Sequence, residues 1–172
     1  MEYKKGEIIG IEPLTLAETA SALYIDYYQE EEIQRLIKAA RESAEDYCNI
    51  DFVQKTYSIF ANRMPYIFEC EKYPLKEITA AEAYTVYGQI DITADFEIVS
   101  GNGILYKNNI SVGELRGYDN YKLTVTVGLD SVSDRVKEAM LWYCYNTYHK
   151  IEVGEWLPQF RNLLSDIRRR SA

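Results

Sequence analysis

The spacing of apolar residues changes twice along the chain, and each change predicts a different kind of secondary structure. From about Glu30 to Tyr47, apolar residues recur every three or four positions, which indicates one amphipathic helix with a single buried stripe. That stripe consists of Ile33, Leu36, Ile37, Ala40, Ala44 and Tyr47. A shorter helix precedes it and ends near Asp26, because Thr15 and Glu18 have the spacing of a capping box. We therefore predict that residues 15–48 are helical.

From residue 53 the period falls to two, as strands require. Tyr57 and Ile59 alternate with polar neighbours, and four later segments continue in strand-like composition. Those segments are 78–87, 96–99, 104–106 and 123–127. The residues between the second and third of them, Ser100 to Gly103, predict a hairpin turn. Residues 53–127 are thus expected to form a small antiparallel β-region, a sheet or small sandwich.

A third helix is predicted after Ser133, and it carries apolar residues on two opposite sides. The inner stripe consists of Val136, Ala139, Met140, Tyr143 and Thr147. The opposite side carries Leu141, Trp142, Tyr145 and Tyr148. A helix that is apolar all round must be covered all round, and in a domain of this size the second cover is expected from another subunit.

A fourth helix is predicted from Pro158, since proline suits the first turn of a helix. Its stripe consists of Phe160, Leu163, Leu164 and Ile167. Arg168, Arg169 and Arg170 then complement the negative end of the helix dipole. The fold class that follows is α+β, with two N-terminal helices, a small antiparallel β-region and two C-terminal helices. One domain over residues 1–172 is expected, with residues 134–170 helical and ending in a basic docking segment.

The composition is that of a globular protein, with 47% hydrophobic and 27% charged residues and a net charge of −8. An acidic composition argues against a protein that binds nucleic acid tightly, because such binding neutralises phosphates with Lys and Arg. No apolar run is long enough for a membrane span or a signal peptide, so we expect synthesis in a cytoplasm. Sixteen tyrosines suit either exposed strands or subunit interfaces.

The sequence offers little that resembles catalytic or metal chemistry. Cys48, Cys70 and Cys144 are scattered and are expected to be buried free thiols. Cys144 and His149 would lie about 140° apart around one helix, so they do not form a nucleophile pair. The strand-region carboxylates that a metal-dependent nuclease would use are Glu69, Glu71, Asp91, Asp95 and Glu97. We predict no catalytic residue, no metal and no cofactor.

The order of several degenerate motifs resembles the head–tail connector (adaptor) family of tailed bacteriophages. The opening is similar through the segments Leu14–Glu18, Leu23–Asp26, Ile33–Arg41 and Glu45–Cys48. The middle is similar at Tyr73-Pro74-Leu75, and the end at Val125–Gly128 followed by Asp134–Met140. The family often has a proline just before that last helix, where this chain has Ser133.

The resemblance implies a structural protein of the virion, assembled in the host bacterial cytoplasm. Such connectors form a homo-oligomeric ring, typically a dodecamer, beneath the portal protein. The ring extends the DNA channel, lets DNA pass without specific binding and offers a platform to the next neck or tail-completion protein. Neither a cofactor nor a membrane is involved. The family's C-terminal segments contact the portal, which suggests the same for Arg161 to Ala172.

From the apolar pattern, the charge distribution and the family resemblance, we predict partner-binding residues on the last two helices and a separate acidic surface. The partner-binding residues are Trp142, Tyr145, Tyr148, Arg161, Arg168, Arg169 and Arg170. Glu30, Glu31 and Glu32 are candidates for the wall of the DNA channel, although stabilisation of the helix dipole is the favoured explanation of these three residues. Three alternatives stay open: a neck or tail-completion protein, a metal-dependent nuclease, and a small adaptor that binds a host protein through its tyrosines.

Overall fold

The structure is a computed structural model, and it describes residues 1–25, 29–99, 102–106 and 120–168. Contacts along the chain group it into two compact units. We call Met1–Gly10 with Gln54–Gly128 the sheet unit, and Ile11–Val53 with Leu129–Ala172 the helical unit. The chain passes between the units three times. The expectation of a single connector domain remains a prediction.

The sheet unit contains eight strands among its described residues. They are β1 Glu2–Ile8, β2 Lys55–Ala61, β3 Ile67–Glu69, β4 Leu75–Thr85, β5 Gly88–Asp91, β6 Phe96–Ile98, β7 Gly103–Tyr106 and β8 Asn120–Val127. Five form an antiparallel sheet in the order β1-β2-β8-β4-β5, and three form a second sheet in the order β3-β7-β6. The α+β class is confirmed, but the β-region is larger than the small one predicted.

Burial of alternate residues explains why the central strands form. In β2, Tyr57, Ile59 and Ala61 are buried while the residues between them are partly exposed. The same core receives residues from the other strands of both sheets, namely Phe68, Ala81, Phe96, Ile104, Leu123 and Val125. Each fully buried side chain of this size contributes about 1.5–3 kcal/mol. One apolar core therefore holds both sheets together.

The predicted hairpin between residues 100 and 103 is confirmed at its described ends. Ile98 pairs with Ile104 in antiparallel register, and the N–H of Val99 donates to the carbonyl of Gly103 at 3.0 Å. Ser100 and Gly101 themselves lie outside the described residues.

Buried Asn102 holds the segment that enters β4. Its Oδ1 accepts from the N–H of Leu75 at 2.7 Å, and its Nδ2 donates to the carbonyls of Cys70 and Lys72 at 2.5 Å each. One buried amide thus satisfies three backbone groups that would otherwise be costly to bury.

Strand β1 was missed by the sequence analysis, because nearly all its residues are exposed and no apolar alternation marks it. Its backbone runs close to that of its partner. A Cβ atom on Gly10 would lie 2.6 Å from the backbone nitrogen of Gln54, and one on Gly6 would lie 2.3 Å from the Thr56 hydroxyl oxygen. Glycine at position 10 is therefore a steric requirement, because the atom that a side chain would meet there belongs to the backbone.

The helical unit contains four helices: α1 Leu16–Leu23, α2 Glu30–Cys48, α3 Asp134–Tyr148 and α4 Val153–Leu164. The predicted capping box is confirmed, since the N–H of Glu18 donates to the Thr15 hydroxyl at 3.1 Å and the N–H of Thr15 donates to the Glu18 carboxylate at 2.9 Å. Helix α1 ends at Leu23, slightly before the predicted end near Asp26. The buried apolar residues of this unit include Leu14, Leu23, Ile33, Ala40, Ala44, Val136, Met140, Phe160 and Leu164.

Helix α3 starts where predicted, but its buried stripe is rotated slightly from the predicted one. Cys144 and Asn146 are buried, whereas Thr147 is exposed and Tyr143 is half-buried. The Asn146 side chain lies inward because its Nδ2 donates to the carbonyl of Trp142 at 2.6 Å.

The predicted start of α4 at Pro158 is wrong, because the helix begins at Val153 and contains the proline in its interior. An interior proline costs a helix about 3 kcal/mol through a lost hydrogen bond and a clash. Two residues before the proline, Trp156 is buried, and its ring packs edge-on against Tyr143 and Phe160 at centroid distances of 5.3 and 6.0 Å. The α4 helix also ends at Leu164 rather than near residue 170, and residues 169–172 lie outside the described chain.

No helix in the described part of the chain is both long and apolar enough to cross a membrane.

Candidate assembly surfaces

Three aromatic residues on the outer side of α3, Trp142, Tyr145 and Tyr148, are half-buried rather than fully exposed. The Tyr148 hydroxyl donates to Oε1 of Gln29 at 3.0 Å, and the Tyr145 ring lies 4.4 Å from the His149 ring, centroid to centroid. Their own chain therefore covers part of each ring. The predicted contact with a neighbouring subunit concerns the parts of these three side chains that remain exposed. It stays a prediction.

Trp142 has one further feature, a buried indole N–H. Its Nε1 has no hydrogen-bond partner among the described residues, and neither has Nε1 of the buried Trp156. A buried donor without a partner costs roughly 1–3 kcal/mol. Both indole rings are thus held by packing and not by polar contacts.

Two of the predicted docking arginines contact their own chain. The guanidinium groups of Arg161 and Arg168 lie 5.8 and 4.9 Å from the centre of the Tyr47 ring on α2. Such cation–π contacts are worth about 0.5–1 kcal/mol at exposed sites. Arg169 and Arg170 lie outside the described residues. Portal docking by this segment therefore remains a prediction.

A third arginine, Arg135 on α3, binds the end of α4. Arg135 forms an ion pair with Asp166, and its Nη2 donates to the carbonyl of Asn162 at 3.2 Å. Binding a last-turn carbonyl satisfies one of the backbone groups that a helix end leaves unpaired. The chain as far as Arg168 is therefore part of the folded helical unit.

Glu30, Glu31 and Glu32 lie in the first turn of α2 and are all exposed. The N-cap residue Gln29 makes no side-chain capping bond, so these carboxylates supply the charge that the helix N-terminus favours. Glu31 also forms an exposed ion pair with Arg35 at 3.6 Å. Their position suits the dipole interpretation, and the channel-wall interpretation stays a prediction.

Sequence analysis missed a buried ionic cluster around Arg41, whose side chain is 0% exposed. Nε of Arg41 donates to Glu12, and Nη1 donates to Glu45 at 2.7 Å. Glu42 lies 3.7 Å away, and Oε1 of Glu45 accepts from the N–H of Phe52 at 2.8 Å. The only signal in the sequence is the spacing of Arg41 and Glu45, which places two opposite charges one turn apart on α2.

The cluster joins both ends of one segment of the helical unit. Glu12 lies one residue from the boundary at Ile11, and Phe52 lies one residue from the boundary at Val53. Both are bonded to α2 through Arg41 and Glu45. Because the Arg41 side chain is fully buried, loss of its acidic partners would leave a cation in a dry environment.

The prediction of buried free thiols is confirmed for Cys48, Cys70 and Cys144. Burial raises the pKa of Cys48 to about 11 and that of Cys144 to about 12, and it also raises the pKa of Cys70. Each thiol therefore stays protonated and unreactive near neutral pH.

The carboxylates considered for a metal site are not brought into a cluster. Asp95 ends a short 3₁₀ helix, Thr93–Asp95, whereas Glu97 lies in β6. Within the described ranges, no group of three or more His, Cys, Asp or Glu side chains is placed to hold a metal ion.

A pocket of ≈ 410 Å³ lies in the helical unit, between the segment that leads into α1 and the side of α2. It is lined by Glu12, Leu14, Leu16, Gln34, Ile37 and Lys38. Leu14 and Ile37 are buried and form an apolar floor, while Gln34 and Lys38 are exposed at the rim.

This α+β arrangement is a fold found in neck proteins of particles that transfer genes. The full chain is similar to a chain in the "neck of empty GTA particle computed with C6 symmetry", with a TM-score of 0.74 and 14% identity. It is also similar to chains in the "virion of native gene transfer agent (GTA) particle" and in the neck of the native particle computed with C12 symmetry, with TM-scores of 0.73 and 0.72.

Each of the three likenesses covers 100% of this chain and 97% of the other. At 14–15% identity they concern the fold, and at that level they confirm the resemblance seen in the sequence. No protein-family model matches the chain, and neither does any curated protein.

Proposed function

We propose that this chain is a structural neck protein of a tailed phage or phage-like particle, acting as the head–tail connector (adaptor) beneath the portal. The observation that carries the proposal is the end-to-end fold likeness to neck chains, over 100% of this chain and 97% of theirs. Neither an added domain nor a missing one separates the folds, so the whole chain is available for the same architectural role.

In this role the chain forms a ring, with twelve copies as the proposed number. The neighbours come from necks computed with C6 and C12 symmetry, which supports a cyclic assembly. A cyclic assembly needs a heterologous interface, in which one surface of each copy meets a different surface of the next. The uncovered areas of Trp142, Tyr145 and Tyr148 are the first candidates for such a surface.

The ring extends the DNA channel and lets DNA pass without specific binding. The net charge of −8 supports this, because an acidic wall repels phosphates and keeps the duplex from adhering. Glu30, Glu31 and Glu32 are the proposed contributors from α2. In an assembled ring, a position of these three residues far from the axis would remove them from the wall.

The test is to delete the gene from its phage or prophage and examine the lysate by electron microscopy. A connector is required for joining, so DNA-filled or partly emptied heads without tails are expected beside free tails. Complementation with the wild-type gene should restore complete particles. Complete, infectious particles made without the protein would contradict the proposal.

Trp142→Ala complementation tests the proposed aromatic interface, with Tyr66→Ala as an exposed aromatic control in the sheet unit. Trp142→Ala should reduce joined particles while the purified variant stays folded. A loss of several kcal/mol in monomer stability together with normal joining would make Trp142 a core residue only.

A neck or tail-completion protein of the same assembly is the second candidate, favoured by the same neck likeness. Binding separates the two, because a connector should bind purified portal rings directly and a completion protein should bind only after the connector.

We also propose that the protein is not an enzyme. Magnesium-dependent cleavage of plasmid DNA that is lost in Asp95→Asn or Glu97→Gln would contradict this.

A further inference from the structure

The five-stranded sheet ends in two strands that are bonded on one side only. Among the described strands its order is β1-β2-β8-β4-β5, so β1 and β5 each have one sheet neighbour. All four residues of β5 are exposed, and so are all residues of β1 except Tyr3. The open side of an edge strand carries N–H and C=O groups that bond to water or to a further strand.

The pairing of β5 with β4 identifies the backbone groups that face outwards. The two strands keep one antiparallel register throughout, and just beyond β5 the N–H of Ile92 donates to the carbonyl of Ala81 at 2.8 Å. In an antiparallel pair every second residue bonds to the partner strand, so the even-numbered residues of β5 bond to β4. The N–H and C=O groups of Gln89 and Asp91 therefore point to the open side.

Strand β5 lacks the lysine, proline or bulge that commonly protects an open edge. The hairpin loop before it is apolar, with Val86 82% and Tyr87 98% exposed, and Ile90 on the strand is 45% exposed. The loop is held in place, because the Thr85 hydroxyl accepts from the N–H of Tyr87 at 3.0 Å and donates to the carbonyl of Gly88 at 3.1 Å. A fixed apolar edge with outward backbone groups is suited to the addition of a strand.

Strand β1 offers an open edge of matching length and charge. Its continuous pairing with β2 runs from Glu2 to Lys5 before the register shifts, and so covers four residues, as β5 does. Asp91 is the only charged residue of β5, and Lys5 is exposed on β1. With the starts of the two strands aligned, Lys5 stands opposite Asp91, whose Oδ1 bonds to Thr93 within its own chain. Opposite charges on adjacent strands stabilise their pairing.

We infer that β5 of one copy pairs with β1 of the next copy, so that the sheet continues from subunit to subunit. The occupant is a second copy because one sheet carries both complementary edges. These edges face in opposite directions and lie four strand spacings apart, about 19 Å, so one copy can bind a neighbour on each side at once. Such a contact repeats head to tail, as a cyclic assembly requires. The inference rests on the proposed ring and assigns one of its interfaces.

The strand directions make the inferred pair parallel. Each of the four neighbouring pairs in the sheet is antiparallel, so β1 and β5 run in the same direction. In a ring of twelve, a rotation of about 30° relates one copy to the next and leaves strand directions nearly unchanged. That angle is close to the twist of about 20–25° between adjacent strands. A two-fold dimer through β5 alone would instead pair the strands antiparallel.

Proline and alanine at position 89 separate a main-chain contact from a side-chain contact. Gln89→Pro removes an outward N–H and leaves the bonds between β5 and β4 in place, whereas Gln89→Ala keeps that N–H. When each variant complements the deleted gene, Gln89→Ala should give joined particles at the wild-type level. Gln89→Pro should reduce them about tenfold or more, because proline cannot donate to an added strand. Normal joining by Gln89→Pro would overturn the inference.

Cross-linking in purified particles tests the contact without a proline, since the three native thiols are buried. The double variant Tyr87→Cys with Glu2→Cys, treated with a short bis-maleimide, should give a ladder of multimers on a denaturing gel. The matched control is Tyr87→Cys with Ile8→Cys, whose second cysteine lies at the other end of β1, about 20 Å away. It should give no ladder. Each single variant controls for random cross-linking.

Complete particles that contain the first double variant without a ladder would overturn the inference and leave the proposed function standing. A ladder from the Ile8 variant alone would indicate antiparallel pairing and would overturn the parallel contact. Cross-linked pairs from a single variant would indicate a symmetric contact and would also overturn it. Complete particles that lack this protein would overturn the inference and the proposed function together.

Discussion

Nε of Arg41 lies 2.8 Å from one carboxylate oxygen of Glu12 and 3.1 Å from the other, although the two residues are 29 positions apart. The guanidinium is fully buried, whereas the Glu12 side chain is 37% exposed. An exposed surface pair would contribute little, but a buried cation whose partners are removed is severely destabilising. The pair therefore fixes the segment before α1 against α2.

Arg41→Ala should destabilise the helical unit by about 3–5 kcal/mol, because it removes the buried cation that binds both Glu45 and Glu12. Urea unfolding followed by the helical circular dichroism signal measures the change. The matched control is Arg35→Ala, which removes an exposed pair one turn away and should cost no more than about 0.5 kcal/mol. Equal losses in both variants would show that the buried cluster contributes no more than a surface pair.

Thr15→Ala should cost about 1 kcal/mol, since it removes the hydroxyl that caps α1. Thermal or chemical unfolding at neutral pH measures it. Thr15→Ser retains the hydroxyl and should restore most of the stability. A serine variant as unstable as the alanine variant would contradict the capping role.

The same capping box gives the protein a pH dependence. Hydrogen bonds from the backbone N–H and the hydroxyl of Thr15 hold the pKa of Glu18 below its ordinary value of 4.5. The resulting stability is present above pH 4.5 and is lost as the pH falls through the lowered pKa of the folded state. Wild type should thus lose stability relative to Glu18→Gln in that acidic range. Parallel pH profiles for the two proteins would contradict this.

The buried thiols predict a loss of stability at alkaline pH. Unfolded cysteines ionise near their ordinary value of 9.0, whereas burial keeps the pKa of Cys48 at about 11 and that of Cys144 at about 12. Stability is fully present below pH 9 and falls as the pH rises toward 11, because only the unfolded chain loses those protons. Unfolding of wild type and Cys144→Ala at pH 8 and 10.5 measures the effect, and the variant should show the smaller decline.

Gly10→Ala should destabilise the sheet unit by about 1–3 kcal/mol, because the new methyl would meet the backbone of Gln54 at 2.6 Å. Gly154→Ala is the matched control, since nothing lies within 4 Å of its Cβ position in α4. Alanine there should be neutral or stabilise by up to about 1 kcal/mol. Thermal melting of both variants separates a steric effect from a general intolerance of glycine replacement.

Deletion of Arg168 to Ala172 should leave the helical unit folded, with a loss of no more than about 1 kcal/mol from the contact with Tyr47. Attachment to portal rings should weaken, and the difference from the full-length protein should shrink at high salt, because salt screens the contribution of the cationic residues that are lost. Arg161→Ala is the control, because it removes the other cation–π contact with Tyr47 while keeping residues 168–172. Full-strength docking by the truncated protein would leave these arginines as part of a helix end.

Features that depend on neighbouring residues were predictable, as Thr15 with Glu18 and the start of α3 after Ser133 illustrate. Features that depend on distant partners were not. Arg41 and Glu45 count as polar in any periodicity, yet they lie on the buried side of α2 because Glu12 and the backbone of Phe52 meet them there. Pro158 indicated a helix start by local rules, but the packing of Trp156 extends α4 upstream.

The assembly surfaces stay predictions, whereas the helices that carry them can be compared with the structure. The local sequence does not distinguish an aromatic residue covered by its own chain from one covered by a neighbouring subunit. Tyr148, for example, donates a hydrogen bond to Gln29, which is distant in the sequence.

The interleaving of the two units sets the order in which the nascent chain can fold. Helices α1 and α2 leave the ribosome first, but α3 and α4, which complete their core, follow only after the whole of residues 54–128 has been translated. The sheet unit has all its strands by Gly128, so it can close while the apolar stripe of α2 still lacks its cover. During that interval α2 is the segment that chaperones would bind. A ribosome that stalls before Asp134 would release a chain with a folded sheet unit and an incomplete helical unit whose apolar surface is exposed.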